Sequence, residues 1–313
     1  MARFKVVVSD QVFPSVDVER NLLSEIDAEL VVATGDSDEV LKVAGDADAI
    51  LNTYLPWTAE SIARLENCKI IARYGIGFDN VDLDAARNAG IVVTNVPDYS
   101  VEEVAVHTLG LILAMVRKLF EAERLVREGG WAIRSLQPIR RFSELSVGLF
   151  GYGRIARKLA APIRELGAEI VVHDPYLQPG PDLPKLVGLD ELLATSDLVS
   201  IHAPLTSETR GIIGERALSI IKPGAMLVNT SRGPLVDLQA VISALRSGRL
   251  AAAALDVFDQ EPLDISRIEG VPNLIATPHM AYYSEESLQE SQRKATTQVI
   301  KVLTGEQPDY RVN

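Results

Sequence analysis

The ten residues Val147-Gly148-Leu149-Phe150-Gly151-Tyr152-Gly153-Arg154-Ile155-Ala156 constrain this chain more than any other stretch. Val147 to Phe150 read as a buried strand. Gly151 permits a sharp turn, and Gly153 lets the backbone approach a bound group with no Cβ in the way. Ala156 is small enough for close strand–helix packing. Ile155, Leu159, Ile163 and Leu166 recur at helical spacing, and Gly167 is a C-terminal stop. The N–H groups at such a helix start suit an anion, here a pyrophosphate. A second strand, Glu169 to His173, ends at Asp174, 21 positions after Gly153. That is the separation of the acid that binds a ribose 2′-hydroxyl. Alone, G-x-G-x-x-[GA] is often only a turn; within strand–turn–helix–strand–Asp it points to a dinucleotide. Asp174 would repel a 2′-phosphate, which favours NAD over NADP. Pro162 fits badly: inside a helix it removes a hydrogen bond at a cost of about 3 kcal/mol, so a kink or a shortened helix is expected.

The rest of the chain alternates in the same way. Before the glycine turn, short apolar runs lie at Phe4 to Val8, Leu30 to Ala33, Ala49 to Leu51, Ile70 to Arg73 and Ile91 to Thr94. Helical patterns such as Val18 to Ile26 and Leu83 to Asn88 separate them. After it come Leu198 to Ile201, Ala225 to Asn229, Ala252 to Leu255 and Leu274 to Thr277. Strands alternating with helices predict parallel sheets covered on both faces. A chain of 313 residues holds about two such domains. Ser100-Val101-Glu102-Glu103 reads as a capping box opening a long helix from Val101 to about Glu128, apolar on most sides through Met115 and so buried all round. Trp131 and Ile133 follow in an Arg-rich segment and read either as a dimer contact or as a loop folded on its own domain.

Charge narrows the partners. A net charge of −12 argues against a nucleic-acid or membrane-surface partner. Cys68 is the one cysteine, so no internal disulfide can form, which suits the cytoplasm. No signal-like segment opens the chain, and no apolar run is long enough to span a bilayer.

Each strand after the glycine turn delivers polar residues to one edge. His202-Ala203-Pro204-Leu205-Thr206 follows Ile201, and Thr230-Ser231-Arg232-Gly233 follows Asn229. Asp256 and Glu261 follow Leu255; Pro278 and His279 follow Ala276. Convergence on one edge is the signal of a site. Arg232 offers a planar fork for a carboxylate, and His279 is the natural proton carrier. Glu261, facing His279, would orient the ring and favour imidazolium; the alternative for Arg232 and Glu261 is a surface ion pair. His202 is expected to brace the cofactor loop, His107 to lie in the core or an interface, and His173 to face away from Asp174. No metal-binding spacing exists. Tyr74-Gly75-Ile76-Gly77 follows a strand in the first domain and reads either as a carboxylate-binding loop or as an ordinary tight loop.

Across nearly its full length the chain resembles the D-isomer-specific 2-hydroxyacid dehydrogenases. The motifs are Gly151-x-Gly153-x-x-Ala156 with Asp174, Asn229-Thr-Ser-Arg232-Gly-x-x-Val236-Asp237, Leu255-Asp256-Val257-Phe258-x-x-Glu261-Pro262 and Thr277-Pro278-His279. The resemblance implies a Rossmann doubly wound parallel sheet for the cofactor, residues 99–283. It implies a flavodoxin-like α/β substrate domain, residues 1–98, joined by the last segment, 284–313. Arg232, Glu261 and His279 take the family's catalytic roles. Tyr74, Gly75, Ile76 and Gly77 form its substrate carboxylate loop, Tyr282 lines the substrate site, and Asp256 accepts from the nicotinamide amide. Cofactor contacts are expected at Gly151, Gly153, Arg154, Ile155, Asp174, His202, Ala203, Pro204, Thr206, Thr209, Thr230, Ser231, Arg232, Asp256 and His279. NAD, a small 2-oxo or 2-hydroxy acid, and a homodimer through the cofactor domain and the long helix are implied.

Residues around Tyr282 and Gly75 to Asn80 look most like the branch holding the C-terminal-binding corepressors and their bacterial relatives. The family often carries an acid where Val106 stands, so that acid's role does not transfer. The reaction expected is reduction of a 2-oxo acid. A phosphoglycerate dehydrogenase, which needs a phosphate-binding cation, and an NAD-sensing scaffold are the alternatives.

Overall fold

In the computed structural model, residues 3–313 are described. The chain forms two compact units, Met1–Tyr99 with Tyr283–Asn313, and Ser100–Tyr282. In chain order the first unit holds β1 (Phe4–Val8), α1 (Asp17–Leu23), β2 (Ala28–Val32), α2 (Ser37–Ala44), β3 (Ala49–Asn52), α3 (Ala59–Ile62), β4 (Ile70–Arg73), α4 (Leu83–Asn88) and β5 (Val92–Thr94). The second holds α5 (Val101–Val116), α6 (Leu119–Arg127), β6 (Ser146–Phe150), α7 (Arg154–Glu165), β7 (Glu169–His173), β8 (Lys185–Leu186), α8 (Leu189–Thr195) and β9 (Leu198–Ile201). It continues with α9 (Glu215–Ile220), β10 (Ala225–Asn229), α10 (Leu238–Arg246), β11 (Leu250–Leu255) and β12 (Leu274–Ala276). Helix α11 (Glu285–Thr304) belongs to the first unit and packs on α1 and β4.

Both sheets are parallel throughout. The first has order β2-β1-β3-β4-β5, the flavodoxin-like order. The second has order β12-β11-β10-β9-β6-β7-β8, the doubly wound dinucleotide-binding order extended by one strand. In the inner strands β1, β3, β4, β6, β9, β10 and β11 the runs of Val, Ile and Leu are mostly buried because helices cover both faces, while the edge strands β2 and β12 are half-exposed. On β6, Val147 and Leu149 face a core built with α5 and α7. Phe150 joins the core on the other face, under α8 to α10.

Three local expectations change. Helix α7 runs through Pro162 to Glu165 instead of stopping short. Pro162 falls in its last turn, and the burial of Leu159 and Ile163 holds the segment. The long helix is two helices: Lys118 takes a left-handed conformation, φ 52°, between α5 and α6. It is not buried all round, since Val106 and Gly110 are exposed along α5. Ser100 takes the N-cap position without capping; its hydroxyl is buried and bonds to nothing.

Candidate active site

In Ser100–Tyr282, loops from β6, β9, β10, β11 and β12 leave the same sheet edge. Gly151 has φ +89°, and a Cβ there would stand 2.7 Å from the His202 carbonyl carbon and 2.8 Å from the Ala203 nitrogen. Only glycine meets both demands. The loops after β6 and β9 therefore press backbone on backbone where the strand order reverses, the place at which open α/β sheets bind ligands. His202 N–H donates to the Phe150 carbonyl at 2.7 Å, and its Nε2 lies 2.9 Å from Ser200 Oγ. Burial pushes the His202 imidazole down to about 4, so it is neutral in ordinary buffers.

These residues fit a dinucleotide. A Cβ on Gly153 would meet nothing within 4 Å, so the turn opens onto free space. Arg154 and Ile155 begin α7, whose start has no side-chain cap. Asp174 accepts from Tyr152 N–H at 2.9 Å and Tyr176 N–H at 3.0 Å, one on each oxygen. Each oxygen keeps a further lone pair for a ribose hydroxyl. His173 bonds the Val187 carbonyl through Nδ1, 3.0 Å. Thr206 and Thr209 are tied to one another: Thr206 N–H donates to Thr209 Oγ1 at 2.8 Å, and that hydroxyl donates to the Pro204 carbonyl at 2.7 Å. Ala203 is buried. Thr230 Oγ1 lies 2.8 Å from Thr108 Oγ1, and Ser231 Oγ donates to the Ile201 carbonyl at 2.9 Å. The Thr230 and Ser231 hydroxyls thus anchor the β10 loop to α5 and β9.

Arg232 Nη1 donates to the Ser231 carbonyl at 2.8 Å. A Cβ on the next residue, Gly233, would fall 1.9 Å from the Phe258 carbonyl carbon, so the Arg232 loop lies flat against the loop after β11. There Phe258 N–H donates to Glu261 Oε1 at 2.8 Å, while Oε2 stands 2.7 Å from His279 Nδ1. Burial alone would raise the Glu261 pKa. The His279 hydrogen bond and charge, the Phe258 amide and the Arg232 charge outweigh it and leave the carboxyl below its ordinary value. Three residues on three loops are thereby brought into one electrostatic group.

The His279 loop is held from beneath. His279 sits at φ +50°, and its N–H donates to the Asp256 and Thr277 carbonyls. Asp256 is fully buried; its carboxylate accepts from Thr277 Oγ1 at 2.5 Å, Met280 N–H at 3.0 Å and Ala281 N–H at 2.9 Å. The residue expected to meet a cofactor amide is thus committed to the loop that carries His279. His107 Nε2 lies 3.6 Å from Asp256 Oδ1 and 3.4 Å from Thr277 Oγ1, a link that no spacing in the sequence signals. The Tyr282 ring meets His279 edge-on, with centroids 6.0 Å apart.

Tyr74 to Gly77 belong to the other unit. Tyr74 is buried, its side chain turned inward. The Gly75 carbonyl accepts from Val96 N–H at 3.0 Å and the Ile76 carbonyl from Asn95 Nδ2 at 2.7 Å. A Cβ on Gly75 would fall 1.5 Å from Arg73 Nη1, so the Arg73 guanidinium lies against this loop. Read from the sequence, Arg73 was only the end of a strand.

Residues 109–281 match the family model of the D-isomer specific 2-hydroxyacid dehydrogenase NAD-binding domain. The chain is 34% identical over 99% of its length to D-3-phosphoglycerate dehydrogenase of Methanocaldococcus jannaschii, of which it covers 59%. It spans just over half the length of the phosphoglycerate dehydrogenases it matches. It is 34% identical to hydroxypyruvate reductase of Thermotoga maritima, over 97% of this chain and 98% of that one. The D-lactate dehydrogenase of Aquifex aeolicus, solved with NAD and lactic acid, superposes with a TM-score of 0.87 at 30% identity, covering 96% of each chain. A glycine turn shaped for a dinucleotide and a histidine paired to a glutamate within the field of an arginine occur together in a chain that belongs to the D-isomer specific 2-hydroxyacid dehydrogenase family.

Proposed function

We propose that the protein is an NAD-dependent oxidoreductase interconverting a 2-oxo acid and a D-2-hydroxy acid. The Ser100–Tyr282 unit holds NAD, and the other unit carries the substrate carboxylate loop. The observation that carries the reading is the 2.7 Å contact of His279 Nδ1 with Glu261 Oε2. With Nδ1 turned to Glu261, Nε2 is the nitrogen assigned to exchange a proton with the substrate oxygen. Bound NAD supplies or accepts the hydride. His279 delivers the proton in reduction and removes it in oxidation, and Glu261 orients the ring and balances its charge. Arg232 holds the carboxylate and polarises the carbonyl. The amides of Gly75 to Gly77 suit a carboxylate, consistent with the Gly75 and Ile76 carbonyls being bonded to Val96 and Asn95.

A phosphorylated 2-oxo acid is the second reading, favoured by the Arg73 guanidinium at Gly75. Oxidation of NADH with phosphohydroxypyruvate, hydroxypyruvate, glyoxylate and an aryl 2-oxo acid tests both. Turnover with none of them, NADH binding being intact, would overturn the oxidoreductase reading in favour of an NAD-sensing scaffold. Preference for phosphohydroxypyruvate that Arg73→Met abolishes would establish the second.

The protein is also proposed to be a cytoplasmic homodimer. Leu119, Phe120, Trp131 and Ile133 expose large apolar side chains in and after α6, Trp131 to 84%. Sedimentation of wild type and Trp131→Glu reads this directly: a wild-type monomer refutes it.

A further inference from the structure

A buried carboxylate lies behind the loop at residues 75–77. Glu19, on α1, is fully buried. Its Oε1 accepts from the Tyr74 hydroxyl at 2.7 Å and from Gln292 Nε2 at 3.0 Å; Oε2 accepts from the same amide at 2.8 Å. None of these partners is a cation, so this buried acid is held by neutral hydrogen-bonding groups alone, a costly arrangement in an apolar interior. Gln292 comes from α11 and also donates to the Ser15 carbonyl at 2.8 Å, closing a link between the start of α1 and the last helix. The next polar residue of α11 toward its N-terminus, Ser291, donates its hydroxyl to the Tyr74 carbonyl. Tyr74 N–H donates to the Asn52 carbonyl at 2.8 Å, and the Tyr74 ring packs edge-on against Phe13, centroids 4.7 Å apart. Every polar group of Tyr74 is therefore held, and the residue after it begins the loop. Nothing in an ordinary tight turn requires a buried carboxylate; leucine and phenylalanine at positions 19 and 74 would fill the same space without its cost.

We propose that Glu19 is a positioning residue for substrate: by fixing Tyr74 it sets the direction of the Gly75, Ile76 and Gly77 amides, with Gln292 and Ser291 of α11 as its second anchor. This rests on the reading of residues 75–77 as the substrate carboxylate loop. A loop released from Tyr74 still reaches its place but spends part of its time misdirected. Affinity for the oxo acid then falls while the chemistry of the bound complex and NADH binding are kept.

The test compares wild type, Glu19→Gln, Tyr74→Phe and the double variant, with Ser291→Ala as a milder break of the same anchor. Expected is a rise of roughly tenfold in KM for the best 2-oxo acid, with kcat within about threefold and the NADH dissociation constant unchanged. The double variant should be less than additive, because both changes weaken the same Glu19–Tyr74 contact. Hydrogen exchange of residues 74–78 should quicken at least about tenfold in Glu19→Gln and Tyr74→Phe. KM values unchanged within twofold in folded variants, or kcat falling in step with melting temperature while KM holds, would overturn the proposal. Unchanged exchange at 74–78 would overturn it whatever the activity. If wild type turns over no 2-oxo acid, the functional reading fails, and the exchange experiment still decides whether Glu19 orders the loop. If Glu19→Gln does not fold, Tyr74→Phe and Ser291→Ala carry both measurements.

Discussion

His279 Nδ1 and Glu261 Oε2 stand 2.7 Å apart, and the other oxygen of the same carboxylate is held by the Phe258 amide. The carboxylate is thus fixed on both sides, and it fixes Nδ1 as the imidazole nitrogen that faces it. Replacing His279 with Ala should lower turnover by roughly 10²–10⁴-fold, the worth of one positioned proton transfer, with NADH affinity little changed. Steady-state kinetics together with NADH fluorescence titration measure both; a variant of wild-type turnover ends the assignment.

The acid limb of activity should lie low. Glu261 is held below its ordinary carboxyl value, so the ion pair is complete above that value and is lost only as pH falls through the lower folded one. Protonation of Glu261 should therefore cost wild type nothing down to about pH 5. Glu261→Gln should be slower at every pH and lack this limb. A limb near neutrality that Glu261→Gln removes would contradict the depressed value.

His202 should make the fold acid-sensitive in a different window. Its folded pKa, about 4, lies below that of an unfolded histidine, so the unfolded chain binds the proton first as pH falls. Stability is whole above about pH 6.5 and declines toward about pH 4, by up to roughly 3 kcal/mol. Melting temperature followed over that range should fall less steeply in His202→Gln. Parallel curves would show that His202 is not the group responsible.

Gly233→Ala should damage both activity and stability. The added methyl carbon would fall 1.9 Å from the Phe258 carbonyl carbon, so the loops bearing Arg232 and Glu261 must part. Overpacking of this kind costs roughly 1–3 kcal/mol. A variant with wild-type melting and wild-type kcat/KM would mean that the two loops yield freely.

Asp174→Ala should relax the choice of cofactor. The carboxylate that repels a 2′-phosphate is gone, while the glycine turn is untouched. The ratio of kcat/KM with NADPH to that with NADH should rise by at least about tenfold, mostly through weaker use of NADH. An unchanged ratio would place the discrimination elsewhere.

The sequence by itself determined most of the strands and their order. Val147 to Phe150, Glu169 to His173 and Ala225 to Asn229 carry their strand character in local periodicity and are strands within a residue of the reading. The glycine turn was legible because Gly151 needs a positive φ that few other residues adopt. Where local signals competed with packing, they failed. Ser100-x-x-Glu103 spells a capping box but does not form one, and Lys118 breaks a helix whose pattern gave no warning. Only the tertiary structure decided which polar groups work as pairs. Glu261 meets His279, Asp256 braces the loop beneath His279, and Glu19 meets Tyr74 and Gln292 across wide gaps in the chain. Periodicity is a property of neighbours, written along the backbone; a hydrogen bond between loops depends on where distant strands end, and that is set by the packing of the whole sheet.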